Sequence, residues 1–169
     1  KFVLLTLVRK SEFIHATWDE IDFKNRQWVI PKGRMKGRKE HVIYLSDQAM
    51  DILTGMKVCA MGSDYLMPGR YDIKKPLSNA ALNNVIDGTV KRINEKGIEF
   101  EPVTVHDLRR TASTLLHEAG YNSDWIEKCL AHVQNGVRAV YNKAEYAEQR
   151  RKMLQEWADM VDEWIKEKD

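Results

Sequence analysis

Three residues apart at the start of a helical stretch, His106 and Arg109 of "HDLRRTASTLLHEAG" place an imidazole and a guanidinium on one helical face. They fall in the first turn, where free backbone amides and the helix dipole already favour an anion. Cations at that end are electrostatically unfavourable unless an anion offsets them, so the pattern points to phosphate. Taken alone, an H-x-x-R reads as readily as a surface arginine behind a capping histidine. A second cationic cluster stands earlier: "PKGRMKGRK" carries five cations in nine residues and no acid. It reads equally as a solvated loop or as a phosphate-binding segment. The spacing argues against a metal site built from His106, Asp107, His117 and His132. His106 and Asp107 are neighbours that point apart, and His117 is eleven residues, about three turns, from His106. His15 and His41 have no partner pattern and read as surface or interface histidines.

The company these residues keep carries more information than either cluster. "LVRKSEFIHATWDEID" near the start is followed by "RMKGRKEHVIYLS", then by "HDLRRTASTLLHEAG". Next come "LAH" and, nine residues after His132, the tyrosine of "VRAVYNKAEY". In this order and spacing the boxes resemble the catalytic domain of the tyrosine recombinases, in particular the phage and genomic-island integrases of the P4-like group. The resemblance covers nearly the whole chain. It implies a first active-site arginine at Arg9 with Glu12 as its buried supporting acid, a hairpin lysine at Lys36, the H-x-x-R pair at His106 and Arg109, a further histidine at His132, and the nucleophile at Tyr141. Lys10 stands where the family varies, and Tyr146, five residues past Tyr141, is a second phenol.

The chemistry implied is transesterification of DNA. A phenol can hold the phosphoryl group as a covalent ester, which assigns Tyr141 as the bond-forming residue. A phenol with an ordinary pKa of ~10 needs help losing its proton at neutral pH, and His106 is the acid/base partner. Arg9 and Arg109 can each present a fork to the non-bridging oxygens, standing in for a metal, so no cofactor is expected. The resemblance assigns Lys36 as the acid for the leaving 5′ oxygen and His132 as a hydrogen-bond donor to the phosphate. Lys32, Arg34 and Arg38 are expected at backbone phosphates, and Arg110 either there or in a salt bridge. The implied partners are double-stranded attachment-site DNA and other integrase protomers in a tetramer, with a place for an excisionase or a host DNA-bending protein. The implied location is the bacterial cytoplasm, at the nucleoid, with no membrane. Strand cleavage of the type IB topoisomerase kind and a non-catalytic DNA-binding remnant are the alternatives.

The elements that must position these residues are legible in outline. "KFVLLTLV" reads as the end of a helix, and "RQWVIP" and "EHVIYLS" as a β-hairpin around the basic loop. Ser46 or Asp47 caps a helix through "QAMDILTGM", and "DYLMPG" is a short strand or turn. Ser78 caps "NAALNNVIDGTVKRINEKG", the His106 helix stops at Gly120, and Ser123 caps "DWIEKCLAH". In the His106 helix, Leu108, Ala112, Leu115, Leu116 and Ala119 form a core-facing stripe that leaves His106 and Arg109 outside it. One or two helices close the chain, with an apolar stripe of Leu154, Trp157, Ala158, Val161, Trp164 and Ile165. That stripe packs on its own domain or, as the resemblance suggests, on a neighbouring protomer. The expected class is mainly α with a small antiparallel sheet.

Composition sets the outer bounds. The 169 residues, 43% hydrophobic and 31% charged, suit one globular domain, and the net charge of +2 is too small to identify a nucleic-acid partner by itself. Cys59 and Cys129 have neither zinc-site nor disulfide-framework spacing and read as reduced core or boundary residues. The chain opens on Lys1 and runs at once into an apolar segment. Residues 1–169 are therefore expected to be the catalytic domain of a longer protein, with arm-binding and core-binding domains upstream. No run reaches the ~20 apolar residues that would span a bilayer.

Overall fold

A computed structural model describes residues 1–132 and 144–166. Its elements, in chain order, are α1 (Phe2–Thr6), α2 (Lys10–Ile14), β1 (Ile21–Asp22), β2 (Gln27–Ile30), β3 (His41–Tyr44), α3 (Asp47–Cys59), α4 (Ala81–Glu95), α5 (Val105–Glu118), α6 (Ser123–Cys129) and a closing helix, Ala147–Lys166. The strands form one antiparallel sheet in the order β1-β2-β3, with Trp28 opposite both Ile21 and Ile43. The expected hairpin is thus present with one short strand added.

Helix α1 is apolar on nearly every side, and Phe2, Val3, Leu5 and Thr6 are all buried. A short helix of this kind belongs at the centre of a fold, and it divides two cores. Phe2 and Val3 join Phe13, Trp28, Ile30, Ile43 and Leu53 on the sheet side. Leu5 and Leu7 join Leu116, Ile126, Met153, Leu154 and Trp157 on the helical side. Trp28 is fully buried, and its indole N–H donates to Glu20 at 2.9 Å.

The helix starts agree with expectation in part. Ser46, not Asp47, accepts from the Ala49 amide at the start of α3. Helix α4 begins at Ala81 with no side-chain cap, three residues past the expected Ser78. Asn122, one residue before the expected Ser123, accepts from the Asp124 amide to start α6. Helix α5 starts at Val105 because Thr104 and Asp107 form a reciprocal capping box. It ends at Gly120, where φ is +83°. The closing helix packs on its own domain through Met153, Leu154, Trp157, Ala158 and Val161, while Trp164 and Ile165, 43% and 49% exposed, emerge beyond that contact. Among the described residues no helix is long and apolar enough to cross a membrane.

Candidate active site

The site is built where α1, α2, α5 and α6 end or begin. Leu7 closes α1 with φ +57°, a left-handed conformation that is costly for a branched side chain. That turn delivers the chain to Arg9, the N-cap of α2. Glu12, buried at the third position of this helix, receives the Arg9 backbone N–H and the Arg9 Nη1, each at 2.7 Å. A capping box normally pairs a small hydroxyl with an acid. Here the acid serves the helix end and aims the arginine at the same time.

Arg109 comes from α5. The buried face of this helix is Val105, Arg109, Ala112 and Leu116, which corrects the expectation that Arg109 stands outside the core stripe. An apolar-only stripe passes over a guanidinium whose partners are main-chain carbonyls. Nη1 of Arg109 donates to the carbonyl of Leu7, and Nη2 to the carbonyl of Leu130. Arg109 thereby ties α5 to the ends of α1 and α6. Burial, and after it the charge of Arg9, bring its pKa down to about 10, while Glu12 and Glu127 act in the opposite direction. It stays cationic at neutral pH. Two of its five N–H groups hold the scaffold, so an incoming oxyanion meets those that remain rather than the whole fork.

Ala131, just after α6, is also left-handed at φ +47°, and its carbonyl accepts from Arg9 Nη2 at 3.5 Å. Next to it, His132 Nδ1 lies 2.7 Å from Glu127 Oε2. His106 is exposed on the first turn of α5 and lines an open depression of about 190 Å³ with Val8, Arg9, Lys10, Asn83, Thr104, Val105 and Arg109. The structure thus brings together Arg9, Glu12, His106 and Arg109, with His132 joined to them through the Leu130–Ala131 carbonyls. Tyr141 lies outside the described residues.

Residues 1–148 match the Phage integrase family. The chain belongs to that family. Among proteins similar to this integrase-family chain, prophage integrase IntA of Escherichia coli K12 is 42% identical over 159 residues, which cover 94% of this chain and 37% of IntA. The integrase of Enterobacteria phage P4 is 35% identical over 177 residues, covering 96% of this chain and 43% of that protein. The chain therefore spans about two fifths of the length of these relatives. The Tn1549 transposon integrase, solved in complex with circular intermediate DNA, shares the fold, with a TM-score of 0.63 at 21% identity over 90% of this chain and 55% of that one.

The basic hairpin of this integrase-family chain is not uniform. Met35 is buried and pins the loop to the sheet-side core, while Lys32, Lys36 and Arg38 are exposed around it. Lys36 does not line the depression. Arg34 turns inward: Nη1 donates to both carboxylate oxygens of Glu20, and Nη2 to the backbone carbonyl of Glu12. Its donors are committed to the scaffold beneath Arg9, which does not fit the phosphate contact expected of it. Arg110 is exposed and pairs with Asp107 at 3.3 Å.

No expectation from the sequence covers Asn83 or Arg150. Asn83, from α4, lines the depression, and its Oδ1 is buried without a hydrogen-bond partner among the described residues. Lys10 lines the same depression. His41 is buried rather than at the surface. Burial, and then the charge of Arg150, lower its pKa to about 4. Arg150, also buried, donates to the carbonyls of Val42 and Glu145 and lies 5.0 Å from the ring of Tyr44. Neither periodicity nor box order marks these two: His41 is a polar residue at a position read as surface, and Arg150 falls in none of the boxes.

Proposed function

We propose that residues 1–169 form the catalytic domain of a site-specific DNA recombinase, an integrase that cuts and rejoins strands through a 3′-phosphotyrosine. The Tyr141 oxygen attacks the scissile phosphorus as the bond to the 5′ oxygen breaks. The phenol proton passes to His106, and the 5′ oxygen takes a proton from Lys36. A 5′ hydroxyl then reverses the step on the same or a new partner strand. The ester retains the bond energy, so no nucleotide cofactor is required.

The observation that carries this reading is the convergence of Arg9 and Arg109 on one depression with His106, both arginines held by buried groups that leave N–H donors free. Pre-aimed cations, Arg109 buried and Arg9 part-exposed, suit charge that develops on a phosphorane-like transition state. Family membership supports the reading, as does the DNA held by the Tn1549 integrase of the same fold. Lys32, Lys36 and Arg38 supply backbone-phosphate contacts in this account. The expected partners are attachment-site DNA and further protomers, with an excisionase or a host DNA-bending protein acting on the assembly. The expected location is the bacterial nucleoid. Incubation with a nicked suicide substrate, followed by denaturing electrophoresis, separates a strand cutter from a DNA-binding remnant. A covalent protein–DNA band supports the cutter, and DNA binding without that band supports the remnant.

A further inference from the structure

Helix α6 ends in a Schellman motif. The Ala131 amide donates to the Lys128 carbonyl at 3.2 Å and the His132 amide to the Glu127 carbonyl at 3.1 Å, with Ala131 left-handed between them. This motif sets the residue after the left-handed position over the residue five before it, a pairing that elsewhere is usually hydrophobic. In this chain the two residues are His132 and Glu127, and their side chains meet at 2.7 Å. Both are partly exposed, at 46% and 36%, so no core packing explains the choice.

A carboxylate beside a phosphate site is electrostatically unfavourable unless something offsets it. Glu127 lies close enough to Arg109 to favour that guanidinium's charged form. Its neighbour Lys128 is engaged elsewhere, with Glu145 at 2.9 Å. Among the described residues, the group that meets Glu127 is the imidazole of His132. An ionised carboxylate can only accept, so Nδ1 must carry the proton. Nε2 is then the nitrogen left for a ligand, and an oxyanion there also requires N–H.

We propose that Glu127 is a positioning residue for His132, holding Nδ1–H so that the ring takes a second proton at Nε2 and donates it to the scissile phosphate. The proposal rests on the recombinase reading for the identity of that phosphate. Among the described residues, the other charges bonded to the chain next to His132 are Arg9, which holds the Ala131 carbonyl, Arg109, which holds the Leu130 carbonyl, and Glu12, paired with Arg9. Neither arginine offers an acceptor, and Glu12 already receives two bonds from Arg9.

Two measurements test it. In the free chain, ¹⁵N imidazole NMR should find neutral His132 as the Nδ1–H tautomer. Glu127→Ala should return it to the Nε2–H form usual in water, whether or not the protein cleaves DNA. On the nicked substrate, Glu127→Ala should slow covalent trapping tenfold or more. Glu127→Gln, whose amide oxygen still accepts from Nδ1, should stay within about threefold of the parent near neutral pH, with its alkaline limb moved about one unit lower because the charge is gone. An Nε2–H tautomer in the parent chain overturns the proposal. So do equal losses in both variants with an unmoved pH profile, which would mark a merely structural role. A parent chain that shows the Nδ1–H tautomer but traps no DNA sinks the recombinase reading and upholds the pairing.

Discussion

The carboxylate of Glu12 receives both the backbone N–H and the Nη1 of Arg9, each at 2.7 Å, so one buried acid caps α2 and fixes the direction of a cation that lines the depression. Replacing Glu12 with alanine removes an N-terminal cap and frees the guanidinium. The cap alone is worth about 1 kcal/mol. Cleavage of a nicked substrate should fall far more than that stability loss explains, by about 10- to 100-fold, since a small misplacement of a positioned group costs rate steeply. Circular dichroism melts beside trapping rates check the pair of outcomes. Unchanged cleavage by a folded Glu12→Ala chain would contradict the positioning role.

Arg109 combines two functions that mutation can separate. Arg109→Ala strands the buried carbonyls of Leu7 and Leu130, at about 1–3 kcal/mol for each unpaired group. Its Tm should drop by roughly 5–15 °C, given about 2–4 °C per kcal/mol in chains of this size. Arg109→Lys should recover part of the stability and little of the activity, because an ammonium point charge does not replace a fork. A Tm equal to that of the parent in Arg109→Ala would remove the scaffold role.

The hairpin cations divide by what they touch. Lys32 and Arg38 are exposed, so Lys32→Ala and Arg38→Ala should leave Tm unchanged. Each should weaken DNA binding and reduce the slope of log affinity against log salt by about 1. Arg34→Ala should instead lower Tm, because the Glu20 carboxylate that also holds the Trp28 indole, and the Glu12 carbonyl, lose a shared partner. Salt-dependent binding isotherms and thermal melts on the three variants distinguish them. An Arg34→Ala chain with parental Tm and a shallower salt slope would return Arg34 to the phosphates.

His41 makes stability depend on pH in a defined direction. Its pKa is lowered from 6.5 to about 4 in the fold, so the unfolded chain binds its proton first as pH falls. The stability contributed by the neutral ring is complete above pH 6.5 and is lost on going down towards pH 4, by about 3 kcal/mol at about 1.4 kcal/mol per unit. Urea unfolding at pH 7 and pH 5 should show a smaller acid loss in His41→Gln than in the parent. Equal losses would place the acid sensitivity in other groups.

Box order made much of this site legible before any coordinates. Arg9, His106 and Arg109 meet at the depression with Glu12 bonded to Arg9, and the hairpin and the helix ending at Gly120 are where the sequence places them. What stayed hidden depends on contacts between distant main-chain groups. Arg109 was assigned to the outer face because helical periodicity sorts residues by apolarity, and a buried arginine satisfied by the carbonyls of Leu7 and Leu130 looks polar to that rule. Arg34 was indistinguishable from Lys32 and Arg38 because the three differ only in which way a loop anchored by Met35 turns them. The Glu127–His132 pair depends on a left-handed Ala131, and alanine gives no signal for such a turn where glycine would.

The central claim rests on which phenol becomes esterified. Parent, Tyr141→Phe and Tyr146→Phe chains should be incubated with a nicked suicide substrate and resolved on denaturing gels. Covalent DNA is expected with the parent and with Tyr146→Phe, and none with Tyr141→Phe. Covalent DNA on Tyr141→Phe, with its loss in Tyr146→Phe, would contradict it.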